Sequence, residues 1–587
     1  MMEFLKSCNH LVGALTSKAQ NGKSLWGTML APTLPLWIIG KGGHHGLPPW
    51  GHGPTEPLDP YLDGPLTDLT RRYEFNISRG MIAPDGYEKS VILVNGQYPG
   101  PLIEANWGDY IEVKVNNHIE DGPAEGTAIH WHGFHQTGTP WMDGVPGVSQ
   151  CPIAPGKSFT YKFRAEVYGT SWYHSHYSAQ YSGGLYGPIV VHGPSNVKYD
   201  IDIGPVLVND WWHEDYFTIV KEVMSPNFNG QTFSDNNLIN GRMNFDCSTV
   251  DAGDTASCTD NAGLSKFRFQ SGKAHRLRFI NSGSEGTQRI SIDGHNMTVI
   301  ANDFVEVQPY DTQVVTLGIG QRVDVVVHAH DDPKSVVWLR ANMSCAFAKQ
   351  PLALAAIYYE EADIQSMPTS APWDVPDPGT CASDDLSLTK PYYPIALPEP
   401  SWTQHMDIGV FRNESGNLLW NFGGVTARVD YNDPTLLQAN KGDLLFEPDM
   451  NVINFGTNSS IRFIVNNPSP VAHPMHAHGL TMYILAEGPG AYDGSTLTTD
   501  LANPMRRDVQ LVRPFGHIVV QMDVTNPGLW PFHCHVAWHA SGGFFSQMLF
   551  LPEQVQQYQI PHEIDQVCRD WAAFTGREAP NQVDSGL

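Results

Sequence analysis

Short runs in which apolar and polar residues alternate recur along the chain. Tyr110-Ile-Glu-Val-Lys-Val115 alternates, while Val323-Asp-Val-Val-Val327 and Ile461-Arg-Phe-Ile-Val465 are β-branched runs broken by a single charge. Successive side chains of a strand point to opposite faces, so these runs read as strands. Gly, Pro and Asn punctuate them. The pattern predicts an all-β, mostly antiparallel protein of sandwiches or barrels. With 587 residues, the chain is too long for one core and suits three domains of ordinary size. Ala105-Asn-Trp-Gly-Asp109, Phe269-Gln-Ser-Gly-Lys273 with Leu277-Arg-Phe-Ile-Asn281, and Ile461-Arg-Phe-Ile-Val-Asn466 echo one another as an internal repeat would. Boundaries are expected near residue 200 and within a Pro-, Ser- and Asp-rich stretch at 370–395.

The chemistry is concentrated in four segments. Trp530-Pro-Phe-His-Cys-His-Val-Ala-Trp-His539 sets a thiol between two imidazoles and adds a third five residues on. On a strand, His533 and His535 face one way and Cys534 the other. Cys534 with His539 then serves one metal site, and the flanking histidines serve a second, a few covalent bonds away. The other segments are His130-Trp-His132-Gly, Trp172-Tyr-His174-Ser-His176 and His473-Pro-Met-His476-Ala-His478-Gly. Chance gives roughly one His-x-His pair for this histidine content, and the chain has five. The fifth, His328-Ala-His330, closes a Val-rich run without Trp or Gly context and reads as a surface strand end. A thiolate with two imidazoles is the blue-copper ligand set. Structural zinc calls for more cysteines, often as Cys-x-x-Cys, and the chain has no such pair.

In order, spacing and flanking residues, these four motifs resemble those of the multicopper oxidases, and most closely the fungal laccases of the ascomycete type. The resemblance extends from about residue 68 to residue 587. It implies three cupredoxin-like Greek-key domains and four copper ions. The type 1 ion would take His473, Cys534 and His539; the type 2 ion, His130 and His476. The type 3 pair would take His132, His174 and His535 on one ion, and His176, His478 and His533 on the other. The cluster would then lie between the first and third domains, leaving the second as a spacer that helps shape the substrate pocket. The family's axial position falls at Phe544, which cannot coordinate copper and so implies a high potential. Met548 would be axial in a shifted register. Asp143 matches the carboxylate beside the type 2 site, and Glu285 the acid that receives a phenolic proton. Trp538 is a candidate pocket wall. The last residues, Asp584-Ser-Gly-Leu587, resemble a tail that plugs the tunnel to the cluster, with Asp584 grouped with the proton-gating serines Ser178 and Ser541. Pairing of Cys151 with Cys568 and of Cys345 with Cys381 is implied likewise. His476-Ala-His-Gly-Leu480 departs from the usual His-Leu-His-Gly-His, at a position that is not a ligand.

The activity implied is a laccase-type coupling of phenol oxidation to reduction of dioxygen to water, with small phenolic or aromatic donors. A pigment- or secondary-metabolite-pathway oxidase, or a ferroxidase, on the same scaffold is the alternative. A copper carrier without activity conflicts with an intact set of cluster histidines. The formal net charge of −26 disfavours nucleic acid and anionic membranes as partners, and a monomer is expected. Seven cysteines remain after Cys534, and Cys247 with Cys258 could close a short loop. Disulfides imply an oxidising, extracellular compartment, and sequons at Asn76, Asn296, Asn342, Asn413 and Asn458 fit secretion. Met1 to Gln20 has no continuous apolar core, and Pro32 and Pro35 break the apolar stretch Leu25 to Ile39. With the Gly/His-rich run Gly40 to Gly53, residues 1–66 read as a targeting or low-complexity region, disordered or removed. Residues 67–200 and 201–375 read as the first two domains, and 376–587 as a linker, the third domain and its plug.

Overall fold

The computed structural model describes residues 23–38, 48–50, 64–495, 497, 499–576 and 583–587. Three two-sheet sandwiches follow one another, their strands spanning 70–192, 201–358 and 402–550. The first pairs a four-stranded sheet around Thr70–Ile82 and Tyr110–Asn117 with a four-stranded sheet holding Ile129–Trp131 and Gly169–Ser175. The second opposes six strands to five; the third opposes five to five. Most pairings are antiparallel, with parallel exceptions such as Thr70–Ile82 against Tyr110–Asn117. The alternation seen in the sequence marks outer strands: Tyr110–Asn117 buries every second side chain. Gly169–Ser175 and Gly528–Cys534 are buried on both faces throughout, because a second sandwich covers the face that solvent would otherwise take.

The cores show how the sandwiches group. One continuous apolar cluster runs through the first and third, joining Ile129, Trp131 and Trp172 to Met475, Phe532 and Phe544. The second has its own core, built on Val208, Leu277, Phe279 and Val325. The seam between the first and third is therefore a dry interior, and the histidine motifs lie along it. The disulfide Cys151–Cys568 crosses the same seam. Cys345–Cys381 ties the stretch after the second sandwich back to it, and Cys247–Cys258 closes a short loop. His328 ends the strand Arg322–His328 and is exposed, as is His330.

Residues 23–38 are ordered, against the expectation of disorder for this part of residues 1–66. Trp26 and Leu34 are buried against Val190, and Leu34 N donates to Asp202 O at 2.8 Å. Arg242 donates to Ser24 O at 2.8 Å, and Asn106 exchanges hydrogen bonds with Ile38 at 2.8 and 2.9 Å. The segment thus straps the first sandwich to the second. Gly204, at φ +87°, makes the slot: a Cβ there would lie 2.7 Å from the Trp26 ring. The prolines that break helical or membrane-spanning readings suit an extended strap. Met1 to Gln20, Cys8 and most of the Gly/His-rich run lie outside the described residues. Among the described residues, no helix is long and apolar enough to cross a membrane.

Candidate metal centres

Strand pairing sets the histidines in register. Gly528–Cys534 runs antiparallel to His473–Ala477, with Met475 opposite Cys534 and His476 opposite His533. Ile129–Trp131 lies against Gly169–Ser175, with His130 opposite His174. The pleat then divides the His533-Cys534-His535 triplet. Cys534 Sγ is 3.5 Å from His473 Nδ1 and 3.7 Å from His539 Nδ1, and those two nitrogens are 3.2 Å apart. On the other face, His533 Nε2 is 3.0 Å from His478 Nε2, and His535 Nε2 is 3.3 Å from His132 Nδ1. His130, His132 and His476 form one group with converging donor atoms. His132, His174 and His535 form another, and His176, His478 and His533 a third.

These groups fit a cation. Burial holds His132, His174, His176, His473, His476, His478 and His535 well below the usual imidazole range, and takes His533 down to about 4 and His539 to about 3. Neutral rings carry lone pairs. In most of the cluster one nitrogen is turned outward by a hydrogen bond: His130 Nδ1 donates to Asp143 O at 2.8 Å, His174 Nδ1 to Ser175 O at 3.0 Å, and His476 Nδ1 to Asp508 O at 2.9 Å. His533 Nδ1 donates to Cys534 O at 2.9 Å, and His478 Nδ1 to Asp143 Oδ2 at 2.9 Å. The inward Nε2 atoms of His130, His174 and His476 are buried without a protein partner. Fixing one ring nitrogen outward and leaving the other unsatisfied is how proteins orient imidazole ligands. Nitrogens about 3.3 Å apart are what ligands at about 2.0–2.1 Å around one ion require. Soft sulfur with imidazole suits copper.

The surroundings of Cys534 are apolar. Phe544 is fully buried, its ring 5.0 Å from that of His473, and its carbonyl accepts from Cys534 N at 3.2 Å. Trp420 stacks beside it, its ring 5.7 Å from that of Phe544 and 4.3 Å from that of His539. Met548 pairs with Trp530, several residues back along the strand from Cys534, so Phe544 is the one beside the thiol. Of the three groups around the sulfur, only His539 is partly exposed. Its neighbour Trp538 packs edge-on against Trp212, with ring centroids 5.2 Å apart. Glu285 lies nearby. Asp210 accepts from the backbone N of Ser284, Glu285 and Gly286 at 2.6–2.8 Å, and Ala537 N donates to Ser284 O at 2.9 Å. Thr232 Oγ1 donates to Glu285 Oε2 at 2.5 Å. Burial raises the Glu285 carboxyl to about 8, against the stabilising contributions of Thr232 and Trp538. Thr232 and Trp212 line a cavity of about 520 Å³ with Tyr87, Phe245 and Asp235.

At the cluster, Asp143 is fully buried and bonded to both His130 and His478. Ser178 Oγ donates to Asp584 Oδ2 at 2.5 Å, and Ser585 N donates to Ser541 O at 2.9 Å. Leu587 borders a cavity of about 20 Å³ whose other walls include His174, His176, His533 and Ser178. Phe544 therefore packs at the His473–Cys534–His539 group and Asp143 at the histidine cluster; Glu285 meets Thr232 and Trp538, and Asp584 meets Ser178.

Models of the multicopper oxidase family match residues 76–196, 202–362 and 425–554. Over 541 residues the chain is 37% identical to Oxidoreductase OpS5 of Beauveria bassiana, covering 90% of this chain and 89% of that one. The chain belongs to the multicopper oxidase family. This multicopper oxidase is also 35% identical over 559 residues to the dihydrogeodin oxidase of Aspergillus terreus, covering 88% of this chain and 90% of that protein. Its fold matches the crystal structure of the laccase from Botrytis aclada with a TM-score of 0.84 at 31% identity, over 92% of this chain and 99% of that one. The cupredoxin-type architecture, an oxidoreductase activity of laccase-like kind and copper as the metal follow from membership.

Sequence reading of this multicopper oxidase missed several residues at the site. Asp508 accepts from His132 Nε2 at 3.1 Å with its side chain and from His476 with its carbonyl. Trp420, Trp212 and Asp210 shape the approach to the sulfur. The two adjacent arginines before Asp508, in an otherwise buried strand region, are the one local signal for a charged interior; nothing in the sequence singles out Trp420.

Proposed function

We propose that this enzyme is a laccase-type oxidase. It takes electrons singly from phenolic donors beside His539 and delivers four of them to dioxygen, giving two waters. His473, Cys534 and His539 would hold a type 1 copper, and His130 and His476 a type 2. His132, His174 and His535, with His176, His478 and His533, would hold a type 3 pair. Copper when bound supplies the one-electron chemistry at the first site and the reduction of dioxygen at the second. One observation carries the reading: the chain neighbours of Cys534 reach His478 and His132 while its sulfur meets His473 and His539.

The residues then divide the work. A cavity of about 520 Å³ is within the size range of small-molecule pockets, and Trp212 in its wall packs against Trp538, the chain neighbour of His539. Glu285 receives the phenolic proton as the donor loses its electron, since a phenol radical cation is far more acidic than the phenol. Asp143 orients His130 and His478. Asp584, with Ser178, stands where protons must enter a closed cavity. The buried seam keeps donors away from the dioxygen site. The three disulfides fit an oxidising, extracellular setting.

The pH behaviour of Glu285 supplies a test. With its carboxyl raised to about 8, the empty site is mostly protonated in mild acid, and the proton-accepting form grows as pH rises towards 8. Phenol oxidation, divided by oxidation of a non-phenolic one-electron donor, should therefore climb over that interval. In Glu285→Gln the ratio should fall by about 10²-fold and lose its slope. Parallel pH profiles for the two proteins would remove Glu285 from the mechanism. Phe544 supplies a second test. Phe544→Met offers a thioether to the thiolate site and should lower the potential of the blue band by at least about 59 mV, a factor of ten for one electron. An unchanged potential in redox titration would mean that residue 544 does not reach the site formed by His473, Cys534 and His539.

Similarity to a dihydrogeodin oxidase favours a second reading: an oxidase dedicated to one phenolic intermediate of a pigment or secondary-metabolite pathway. Steady-state comparison of a methoxyphenol, ascorbate and ferrous iron separates these. A laccase takes the simple phenol readily, a dedicated oxidase takes it poorly, and a ferroxidase prefers iron.

A further inference from the structure

The second sandwich supplies none of the metal-type ligands, and as a spacer it need not approach the cluster. It does. Gly320 presses on two cluster rings, so that a Cβ there would lie 3.0 Å from both His132 Cε1 and His535 Cδ2. Two residues on, Arg322 is fully buried. Its Nη1 and Nη2 donate to Asp508 Oδ1 and Oδ2 at 2.6 and 2.7 Å, a bidentate pair. The same Oδ1 accepts from His132 Nε2 at 3.1 Å. Arg322 Nε donates to Thr170 O at 3.1 Å. One guanidinium therefore meets all three sandwiches: Thr170 in the first, its own loop in the second and Asp508 in the third.

The pairing is reciprocal. Arg507, beside Asp508 in the third sandwich, donates to Asp303 of the second at 3.1 and 3.2 Å, and Asp303 also accepts from Arg322 N at 2.9 Å and Asp508 N at 3.2 Å. The second and third sandwiches each contribute one acid and one arginine, so the buried quartet is neutral. Breaking one member leaves an uncompensated charge in the interior. Gly133, directly after His132, adopts φ +79°, and a Cβ there would lie 2.6 Å from Asp508 Oδ2 and 2.7 Å from Arg322 Nη2. The backbone next to a ligand is thus shaped to admit this ion pair.

We infer that the second sandwich sets the geometry of the eight-histidine cluster, with Arg322 as a positioning residue that fixes Asp508 and, through it, His132 and His476. The inference rests on the reading of those histidines as a copper cluster. A carboxylate held by a two-point fork cannot rotate, so its bond to His132 fixes that ring's tautomer and tilt. A lysine would keep the charge and lose the fork.

The test compares the copper-loaded enzyme with Arg322→Lys, Asp508→Asn and Arg507→Lys. The readouts are copper per chain, the blue thiolate band, the type 2 electron paramagnetic resonance signal and copper retention against a chelator. Arg322→Lys and Asp508→Asn should keep the blue band, alter the type 2 signal and lose cluster copper about 10- to 100-fold more readily. Arg507→Lys, which meets no cluster histidine, should unfold at lower temperature with both signals unchanged. The inference is overturned if Arg322→Lys or Asp508→Asn matches the wild type in signal and retention. It is equally overturned if both lose the blue band in step with the cluster, which marks general loss of fold. If wild-type enzyme holds no copper beyond the thiolate site, the parent reading fails instead.

Discussion

Replacing Cys534 by serine removes the blue band and lowers oxidation of every donor by at least about a thousandfold, roughly 4 kcal/mol of barrier. The size follows from the position of the sulfur. Among the described residues it alone both meets His473 and His539 and belongs to a residue whose two chain neighbours reach the other cluster. Serine is smaller, binds copper weakly, and offers no soft donor to the site. The eight histidines do not depend on the sulfur, so on the proposed assignment copper per chain should fall by about one ion. Metal analysis with steady-state oxidation of a phenol and of a non-phenolic donor checks this. Residual turnover above about one percent of wild type would show an electron route that bypasses Cys534.

Replacing Asp143 by alanine has the second-largest effect and the opposite spectroscopic signature. Asp143 binds His478 Nδ1 at 2.9 Å with its side chain and His130 Nδ1 at 2.8 Å with its carbonyl, and its Oδ1 lies 3.2 Å from that same nitrogen. Alanine retains only the carbonyl. His478 then has a buried N–H without an acceptor and is free to tilt, which weakens copper retention about 10- to 100-fold and slows dioxygen reduction comparably. The blue site lies on the other face of the strand and is untouched. Under nitrogen, a phenol should bleach the blue band at the wild-type rate; on admitting dioxygen, its return should be slow. Wild-type reoxidation would remove Asp143 from the cluster.

What the sequence disclosed and what it withheld divide by range. The His-x-His pairs and the His533-Cys534-His535 triplet were legible because strand geometry converts adjacent positions into opposite faces without reference to the rest of the fold. Phe544 and Trp538 were legible because they lie within a few residues of ligands. Arg322 and Asp508 were not, since their partnership joins residues from different sandwiches and either alone looks like a surface charge. Trp420 was hidden for the same reason: it reaches His539 from a distant hairpin. Residues 23–38 were misread because two prolines and a broken apolar run describe a loose segment equally well. The slot that holds Trp26 is cut by Gly204, which local pattern cannot reveal. The three sandwiches were visible in the alternating runs, whereas the core shared by the first and third, which creates the dry seam, depends on packing alone.

On the proposed function, single-electron donors are coupled through one thiol to complete reduction of dioxygen. The most direct test of this coupling is stoichiometry: dioxygen uptake and peroxide measured together during oxidation of a limiting methoxyphenol. About four phenols should be oxidised per dioxygen, without peroxide. About two phenols per dioxygen with peroxide accumulating would contradict it.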